Sequence, residues 1–98
     1  MVDSTDLNFL KRLGTNIVRL RKELNISQAE LAYRIGMEKS NLSVIENGRS
    51  NPQVITLVKL AAALDCSLPE LLDFEFDYAH FLEAPSEYIA RKHKKDDK

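Results

Sequence analysis

The sequence predicts an all-α protein, in which a compact domain of five helices is followed by a short C-terminal extension. Apolar residues recur at three- and four-residue steps, serines suited to helix starts precede several of these segments, and glycines or prolines separate them. No segment before Phe74 carries a strand pattern of comparable length. Since 98 residues suffice for one core, we assign residues 1–73 to the domain and residues 74–98 to the extension.

The first predicted helix runs from about Asp6 to Leu24. Its apolar residues share one stripe of a helix with about 3.6 residues per turn, namely Leu10, Leu13, Ile17, Leu20 and Leu24. Gly14 interrupts this helix, and a glycine there is unfavourable by about 1 kcal/mol relative to alanine. We therefore expect the first turns either to fray or to pack closely on another element.

The second predicted helix covers about residues 28–35. Ser27 and Glu30 have the spacing of a capping box, in which each side chain satisfies a backbone amide at the helix start. The inward residues are Leu31, Ala32 and Ile35. Gly36 ends the pattern.

The third predicted helix covers about residues 39–47, with Leu42 and Ile45 facing inward and Gly48 at its end. About three residues, 36–38, separate it from the second helix. So short a turn containing glycine favours a steep crossing of two brief helices, the helix-turn-helix arrangement.

Two more helices complete the predicted domain. After a loop that ends at Pro52, the fourth helix has a nearly continuous apolar pattern, which predicts a position central to the core: Val54, Leu57, Val58, Ala61 and Leu64. Ser67 and Glu70 repeat the capping-box spacing and open a short fifth helix that runs through Leu72.

Charge is distributed unevenly along the chain, although the formal net charge is only -1. Residues 1–9 sum to -2, residues 10–59 to +5, residues 60–90 to -7 and residues 91–98 to +3. A basic half joined to an acidic half is typical of a protein whose one face meets a polyanion.

Several classes of function are disfavoured by the composition. No apolar run approaches the roughly 18 residues of a membrane helix, and the N-terminus lacks the pattern of a secretion signal, so we expect a cytoplasmic protein without a membrane partner. Cys66 is the single cysteine, so it cannot form an intramolecular disulfide, and His80 and His93 are too few further ligands for a zinc site. We therefore interpret Cys66 as a buried apolar side chain. No catalytic pair or metal cluster stands at meaningful spacing, so we expect no enzyme, no cofactor and no bound metal.

The segment SQAELAYRIGMEKSNLSVIENGRSNPQVITLVKLAAALDCSLPELL, residues 27–72, resembles the lambda repressor and Cro type of helix-turn-helix domain, the XRE family. The resemblance covers about residues 10–73. It rests on an ordered set of features, which are Gln28, Leu31-Ala32, Gly36, Ile45-Glu46, Gly48, Asn51-Pro52, the helix from Leu57 to Leu64, and Ser67-Leu68. It implies a lambda-repressor-like fold and a prokaryotic or phage-type transcription regulator.

The third helix is the expected recognition element. The major groove of B-DNA is about 12 Å wide and admits one α-helix. With Leu42 and Ile45 buried, the outward positions of this helix are Lys39, Ser40, Asn41, Ser43 and Val44. The resemblance implies that Lys39, Ser40 and Val44 face bases, and that Asn41 and Ser43 contact base edges or the backbone.

Residues outside the third helix have implied roles as well. Gln28 is expected to hold a phosphate at the start of the second helix and to brace Lys39. The resemblance implies that the loop after the third helix grips the DNA backbone through Arg49, Ser50 and Asn51. It also implies a structural ion pair between Arg21 and Glu46. Glu38 departs from the family pattern, because relatives often have Ser or Thr there as the cap of the third helix.

The extension concentrates aromatic residues, since five of the chain's seven lie within residues 74–90. Alternation of aromatic and acidic residues suggests an extended stretch from Phe74 to Tyr78, and Tyr88 and Ile89 suggest a short helix. We expect this segment to pack on the fourth and fifth helices or across a two-fold axis, and so to help form a homodimer. The alternative is an arm folded only onto its own domain.

The leading functional hypothesis is sequence-specific binding of a double-stranded DNA operator by a dimer, usually to repress transcription. Two alternatives remain open at this point. One is an antitoxin that binds a toxin protein through its extension and represses its own operon, and the other is a restriction-modification controller.

Overall fold

A computed structural model describes residues 4–82, and these residues form a helical domain without a β-strand. The elements are α1 (Ser4–Glu23), α2 (Gln28–Arg34), α3 (Lys39–Glu46), α4 (Val54–Ala63), α5 (Leu68–Leu71) and a 3-10 helix (Tyr78–Phe81). The five α-helices are those that the sequence predicts, and the all-α fold class is confirmed. None of the helices within residues 4–82 is long and apolar enough to cross a membrane.

Serine caps begin two of the helices as expected, but only one capping box is complete. Ser67 accepts a hydrogen bond from the backbone N–H of Glu70, whose carboxylate accepts one from the backbone N–H of Ser67. Ser27 likewise accepts from the backbone N–H of Glu30. The Glu30 carboxylate instead pairs with Arg34 at 2.9 Å, because residues four apart on a helix lie on the same face.

The core draws a fully buried side chain from each α-helix: Ile17, Leu31, Leu42, Leu60 and Leu71. Burying a large aliphatic side chain stabilises the fold by about 1.5–3 kcal/mol. Every helix is therefore held to the same core, and the short helices owe their stability to this packing, since isolated helices of such length are marginal in water.

Gly14 lies at a close approach of α1 to the end of α3. A Cβ atom on Gly14 would stand 2.8 Å from the carbonyl oxygen of Ile45 and closer still to that of Glu46. Glycine therefore permits backbone-to-backbone contact at the end of α3. Of the two expectations for this residue, close packing is the one that the structure shows.

The position of α4 differs from the expectation that it is central to the core. Leu60 and Ala61 are buried, as is Leu64 just beyond the helix. In contrast, Val54, Ile55 and Val58 are 65%, 63% and 44% exposed. The helix packs mainly against α2 and α5 and has no neighbour on its outer side within residues 4–82, so its apolar sequence does not mean that every side is buried.

A smaller correction concerns Leu24, which was expected on the apolar stripe of the first helix. It follows the end of α1 and is 40% exposed.

The beginning of the C-terminal extension packs on α1, whereas the sequence analysis expected contacts with the fourth and fifth helices or across a two-fold axis. Phe9 on α1 contacts the rings of Phe74, Phe76 and Phe81, with centroids 5.2, 5.3 and 5.8 Å from its own. Phe9 is the aromatic side chain of α1, so aromatic contacts draw the segment there. The chain is irregular up to Asp77 and then forms the 3-10 helix, which the sequence analysis did not predict. The expected helix at Tyr88 and Ile89 lies outside the described residues.

Candidate nucleic-acid interface

One side of α3 is free of packing contacts with the core. Leu42 and Ile45 are buried, while the other side is lined by the side chains of Lys39, Ser40, Asn41, Ser43 and Val44. Ser43 alone of these five is half-buried, and its hydroxyl and carbonyl oxygens accept hydrogen bonds from the side-chain amide of Asn47. The eight residues of α3 span about 12 Å, which is the width of a major groove.

The start of α3 has no side-chain cap. Glu38 occupies the N-cap position, yet its carboxylate makes no capping hydrogen bond. The free amides at this end of α3 and the hydroxyl of Ser40 therefore lie on the exposed side of the domain.

Two cations border this exposed side and carry no internal partner. Among residues 4–82, neither Lys39 nor Arg49 forms an ion pair, and both are exposed. Ser50 is half-buried and Asn51 exposed in the loop that follows α3. An unpaired, solvated cation is available to an external anion at no cost in internal contacts.

Arg21 and Glu46 form an ion pair that ties α1 to the end of α3. Arg21 donates from Nε to Glu46 Oε2 at 2.9 Å and from its second terminal nitrogen to Oε1 at 3.1 Å, a bidentate geometry. The two side chains are 12% and 5% exposed. Arg21 also donates to the carbonyl oxygen of Ile26 at 3.1 Å, so the guanidinium holds the turn before α2 as well.

Gln28 adds α2 to the same network. Its Nε2 donates to Glu46 Oε1 at 2.8 Å, whereas the resemblance implied a contact with Lys39. The Glu46 carboxylate thus receives hydrogen bonds from both of the preceding helices. Three helices meet at one buried acid, which sets the orientation of α3 relative to the rest of the domain.

Lys11 lies beside the loop after α3, a position that its place in the sequence does not reveal. A Cβ atom on Gly48 would stand 2.7 Å from the backbone of Lys11, and Gly48 itself has the left-handed φ of 72°. The backbone of Lys11 is therefore close to Gly48, the residue before Arg49, and the lysine is exposed. The one signal in the sequence is the glycine, which allows α1 and the loop to approach.

Within residues 4–82, the side chains do not form a metal-binding cluster. No group of three His, Cys, Asp or Glu side chains stands close enough to hold a metal ion. Cys66 is half-buried, and burial raises the pKa of its thiol above the ordinary value, so the group is less nucleophilic than an exposed cysteine.

Comparison with known proteins gives a consistent result. The profile of a family described as helix-turn-helix matches residues 17–71, more than half of the chain. The HTH-type transcriptional regulator y4dJ of Sinorhizobium fredii is 44% identical over 66 residues, which cover 67% of this chain and 86% of that protein. The HTH-type transcriptional regulator SinR of Bacillus subtilis is 40% identical over 82 residues, which cover 81% of this chain and 74% of SinR.

A solved structure has the same helical arrangement. The restriction-modification controller protein C.AhdI from Aeromonas hydrophila superposes with a TM-score of 0.62 and 34% sequence identity. The match covers 63% of this chain and 94% of C.AhdI, so the controller protein corresponds almost in full to the helical domain.

Proposed function

Because the chain belongs to the helix-turn-helix family of DNA-binding transcriptional regulators, we propose that it reads an operator by inserting α3 into the major groove. The observation that carries this proposal is the exposed side of α3, which offers side chains suited to base edges on a helix fixed from behind by Glu46. A rigidly held helix loses little conformational freedom on docking, which favours affinity.

The roles proposed for individual side chains follow from their chemistry. Lys39 and Ser40, in the first turn of α3, donate hydrogen bonds to base edges, and a lysine is suited to guanine O6 and N7. Val44 offers an apolar contact, as to a thymine methyl group, and Asn41 and Ser43 contact base edges or the backbone. Each of these contacts contributes modest selectivity by itself.

Backbone contacts are proposed for the loop and for the start of α2. Arg49, Ser50 and Asn51 bind phosphates on one side of the groove, while Gln28 and the free amides at the start of α2 bind a phosphate on the other side. Lys11 joins the first group because it stands beside the loop. These contacts fix the register of the protein on DNA without choosing the sequence.

A homodimer is proposed as the binding form, and repression as its effect. One short reading helix selects few base pairs, whereas two related by a two-fold axis read half-sites about 34 Å apart. A dimer bound across a promoter excludes the polymerase, so a reporter gene placed downstream of the selected operator should be less active when the protein is present.

A restriction-modification controller would bind DNA through the same α3 surface and would differ in the genes that it regulates.

Selection of bound fragments from a pool of random duplexes tests the DNA-reading proposal. We expect a two-fold symmetric site to emerge. Recovery of no common sequence, at low as well as moderate ionic strength, would remove the proposal.

Two variants separate reading from anchoring. Lys39→Ala should weaken the selected site by about 1–3 kcal/mol and random duplex much less, because a base contact is lost. Arg49→Ala should weaken both similarly and reduce the slope of log affinity against log salt by about one. Lys22→Ala, an exposed lysine of α1 outside the proposed interface, is the matched control. Equal losses on both DNAs for the Lys39 variant would contradict its reading role.

A further inference from the structure

A groove of about 490 Å³ lies between α1 and the part of the extension that packs on it. The residues that line it include three cations of α1 and two rings of the extension, namely Lys11, Arg12, Arg19, Phe74 and Phe76. Its volume is within the range of about 300–1,000 Å³ that is usual for small-ligand sites. The proposed interface with DNA uses none of these five residues except Lys11.

The cations of the groove are placed to hold an anion. Arg12 and Arg19 are separated by only about 20° around α1 and by about 10 Å along it. Among residues 4–82, neither Lys11 nor Arg12 forms an ion pair, and both are exposed. A guanidinium presents its donors in a fork that matches a phosphate or a carboxylate.

Arg19 is held in position by side chains behind it, which fixes part of the anion site in advance. Its guanidinium donates to Asn16 Oδ1 at 3.1 and 2.7 Å and to Glu23 at 2.7 Å. Asn16 is buried and donates in turn to the carbonyl oxygen of Leu71 at 2.7 Å. These bonds use three of the five N–H donors of Arg19, and the other two have no partner within residues 4–82. A donor that is already positioned loses little conformational freedom on binding.

The rings of Phe74 and Phe76 give the groove an apolar side. Phe76 packs against Phe9 and Phe81, with ring centroids 5.3 Å from its own in both pairs, so its position is fixed within the extension. Both Phe74 and Phe76 are only half-buried, which leaves part of each ring accessible from the groove. A planar ring on the ligand would cover this area.

The acids of the extension favour a small ligand over a nucleic-acid strand. Asp77 lines the groove, and it already accepts a hydrogen bond from the backbone N–H of Ala79 at 3.1 Å and lies 3.4 Å from His80. Asp73 and Glu75 follow the same segment. These acids repel the repeated phosphates of a duplex, and the stacked bases of a duplex cannot reach the two rings.

We propose that this groove binds a small phosphate monoester that carries a planar ring, the class to which mononucleotides belong. The phosphate contacts Lys11 and Arg12, and the ring lies against Phe74 and Phe76. A phosphate monoester suits the three cations better than a carboxylate, because it offers about two negative charges and three acceptor oxygens.

Occupancy of the groove should weaken DNA binding through Lys11, and this consequence rests on the proposed function. The backbone of Lys11 is close to Gly48, the residue before Arg49, in the loop proposed to bind phosphates. A lysine that neutralises the phosphate of the ligand is lost to the DNA backbone. We expect the affinity for the selected operator to fall about fivefold or more at saturation, the lower end of the usual coupling between two sites.

Titration of the full-length protein with adenosine monophosphate tests the site. We expect saturable shifts of the backbone amide resonances of α1 and of the extension around the groove. Adenosine lacks the phosphate and inorganic phosphate lacks the ring, so each should bind at least about tenfold more weakly. Absence of saturable shifts with adenosine monophosphate, or equal affinity for either fragment, would overturn the proposal.

Three variants locate the bound molecule. Arg12→Ala should weaken binding of adenosine monophosphate at least about tenfold, because a charge-assisted contact is lost. Lys59→Ala removes an exposed cation of α4 that does not line the groove, and it should bind as the parent does. Phe76→Leu keeps apolar bulk without the ring and should weaken adenosine monophosphate more than inorganic phosphate. Parental affinity in the Arg12 variant would place the phosphate elsewhere and contradict the assignment.

Operator binding at constant ionic strength separates the groove from the DNA-reading proposal. Saturating adenosine monophosphate should lower the operator affinity of the parent and leave that of Arg12→Ala unchanged at the same concentration. A parent that is saturated with adenosine monophosphate and keeps its operator affinity overturns the coupling through Lys11. A parent that binds adenosine monophosphate but no duplex overturns the DNA-reading proposal and supports the groove site.

Discussion

Glu46 is a buried acid whose hydrogen-bonding needs are met by Arg21 and Gln28 from two other helices. A carboxylate at 5% exposure is costly unless its charge and lone pairs are satisfied, and the bidentate guanidinium does both. The acid sits in the last turn of α3. The proposed reading helix, α3, is therefore fixed at its far end, while its first turn is exposed.

Arg21→Ala should lower the free energy of unfolding by roughly 3–5 kcal/mol, because it strands the Glu46 charge in the interior. Denaturant unfolding followed by circular dichroism measures the change. Arg34→Ala is the control, since its pair with Glu30 is exposed on both sides and should be worth at most about 1 kcal/mol. Comparable losses in the two variants would mean that the Arg21 pair contributes no more than a surface pair.

At the scale of elements, α5 is a four-residue helix held at both ends by side chains. Its start is closed by the capping box of Ser67 and Glu70, and its last carbonyls, those of Glu70 and Leu71, accept hydrogen bonds from the buried Asn16 at 3.2 and 2.7 Å. Arg19 in turn donates to the Asn16 oxygen. So short a helix lacks the internal hydrogen bonds to stand alone, and these caps supply what the helix lacks.

The pKa of Glu70 is lowered from its ordinary value by hydrogen bonds from the Ser67 backbone N–H and hydroxyl. A depressed carboxyl pKa means that the contact adds stability above the ordinary pKa, and that this stability is lost as pH falls through the lowered value. Ser67→Ala removes the hydroxyl, so the Glu70 pKa should rise toward its ordinary value.

Carbon-detected titration of the side-chain carboxyl measures the Glu70 pKa in both proteins. Ser40→Ala, which removes an exposed hydroxyl from α3, should leave it unchanged. An unaltered Glu70 pKa in the Ser67 variant would show that the hydroxyl does not donate to the Glu70 carboxylate in solution.

At the scale of the whole molecule, the described part of the extension, residues 74–82, contacts α1 through the ring of Phe9. Phe9 contacts four rings of the segment that follows α5, namely Phe74, Phe76, Tyr78 and Phe81. Aromatic pairs in such tilted and edge-on geometries add about 0.5–1.5 kcal/mol beyond their buried area. The part of the extension from Phe74 to Phe81 is thereby held against α1.

Phe9→Ala should lower the stability of the domain by roughly 2–3 kcal/mol, less than the 3–5 kcal/mol typical of a fully buried ring, because Phe9 is only half-buried. In a cycle with Phe76→Ala, the double variant should lose less than the sum of the two single losses, since the rings are in contact. Tyr33→Ala, at an exposed ring with no aromatic neighbour among residues 4–82, should change stability little. Strict additivity of Phe9 and Phe76 would argue that the extension packs elsewhere in solution.

The sequence alone was enough to determine the five helices, and it singled out α3 as the proposed reading element. Periodic apolar residues, serine caps and glycine ends are local signals, and they decide helix positions to within two residues or so. One departure from these local signals also has a local cause. Glu30 was expected to complete a capping box with Ser27, but its carboxylate instead pairs with Arg34, which lies one helical turn away.

Only the tertiary structure decided which apolar residues are covered and which partners meet. Val54 and Ile55 have the same apolar character as Leu60, yet only Leu60 faces the other helices, and that depends on how α4 is docked. Likewise, Phe9 meets the extension across more than sixty residues of chain, a contact that no periodicity encodes. The periodicity of apolar residues shows which side of a helix is apolar. Whether that side is buried, and which side chains it contacts, depends on elements that are distant in sequence.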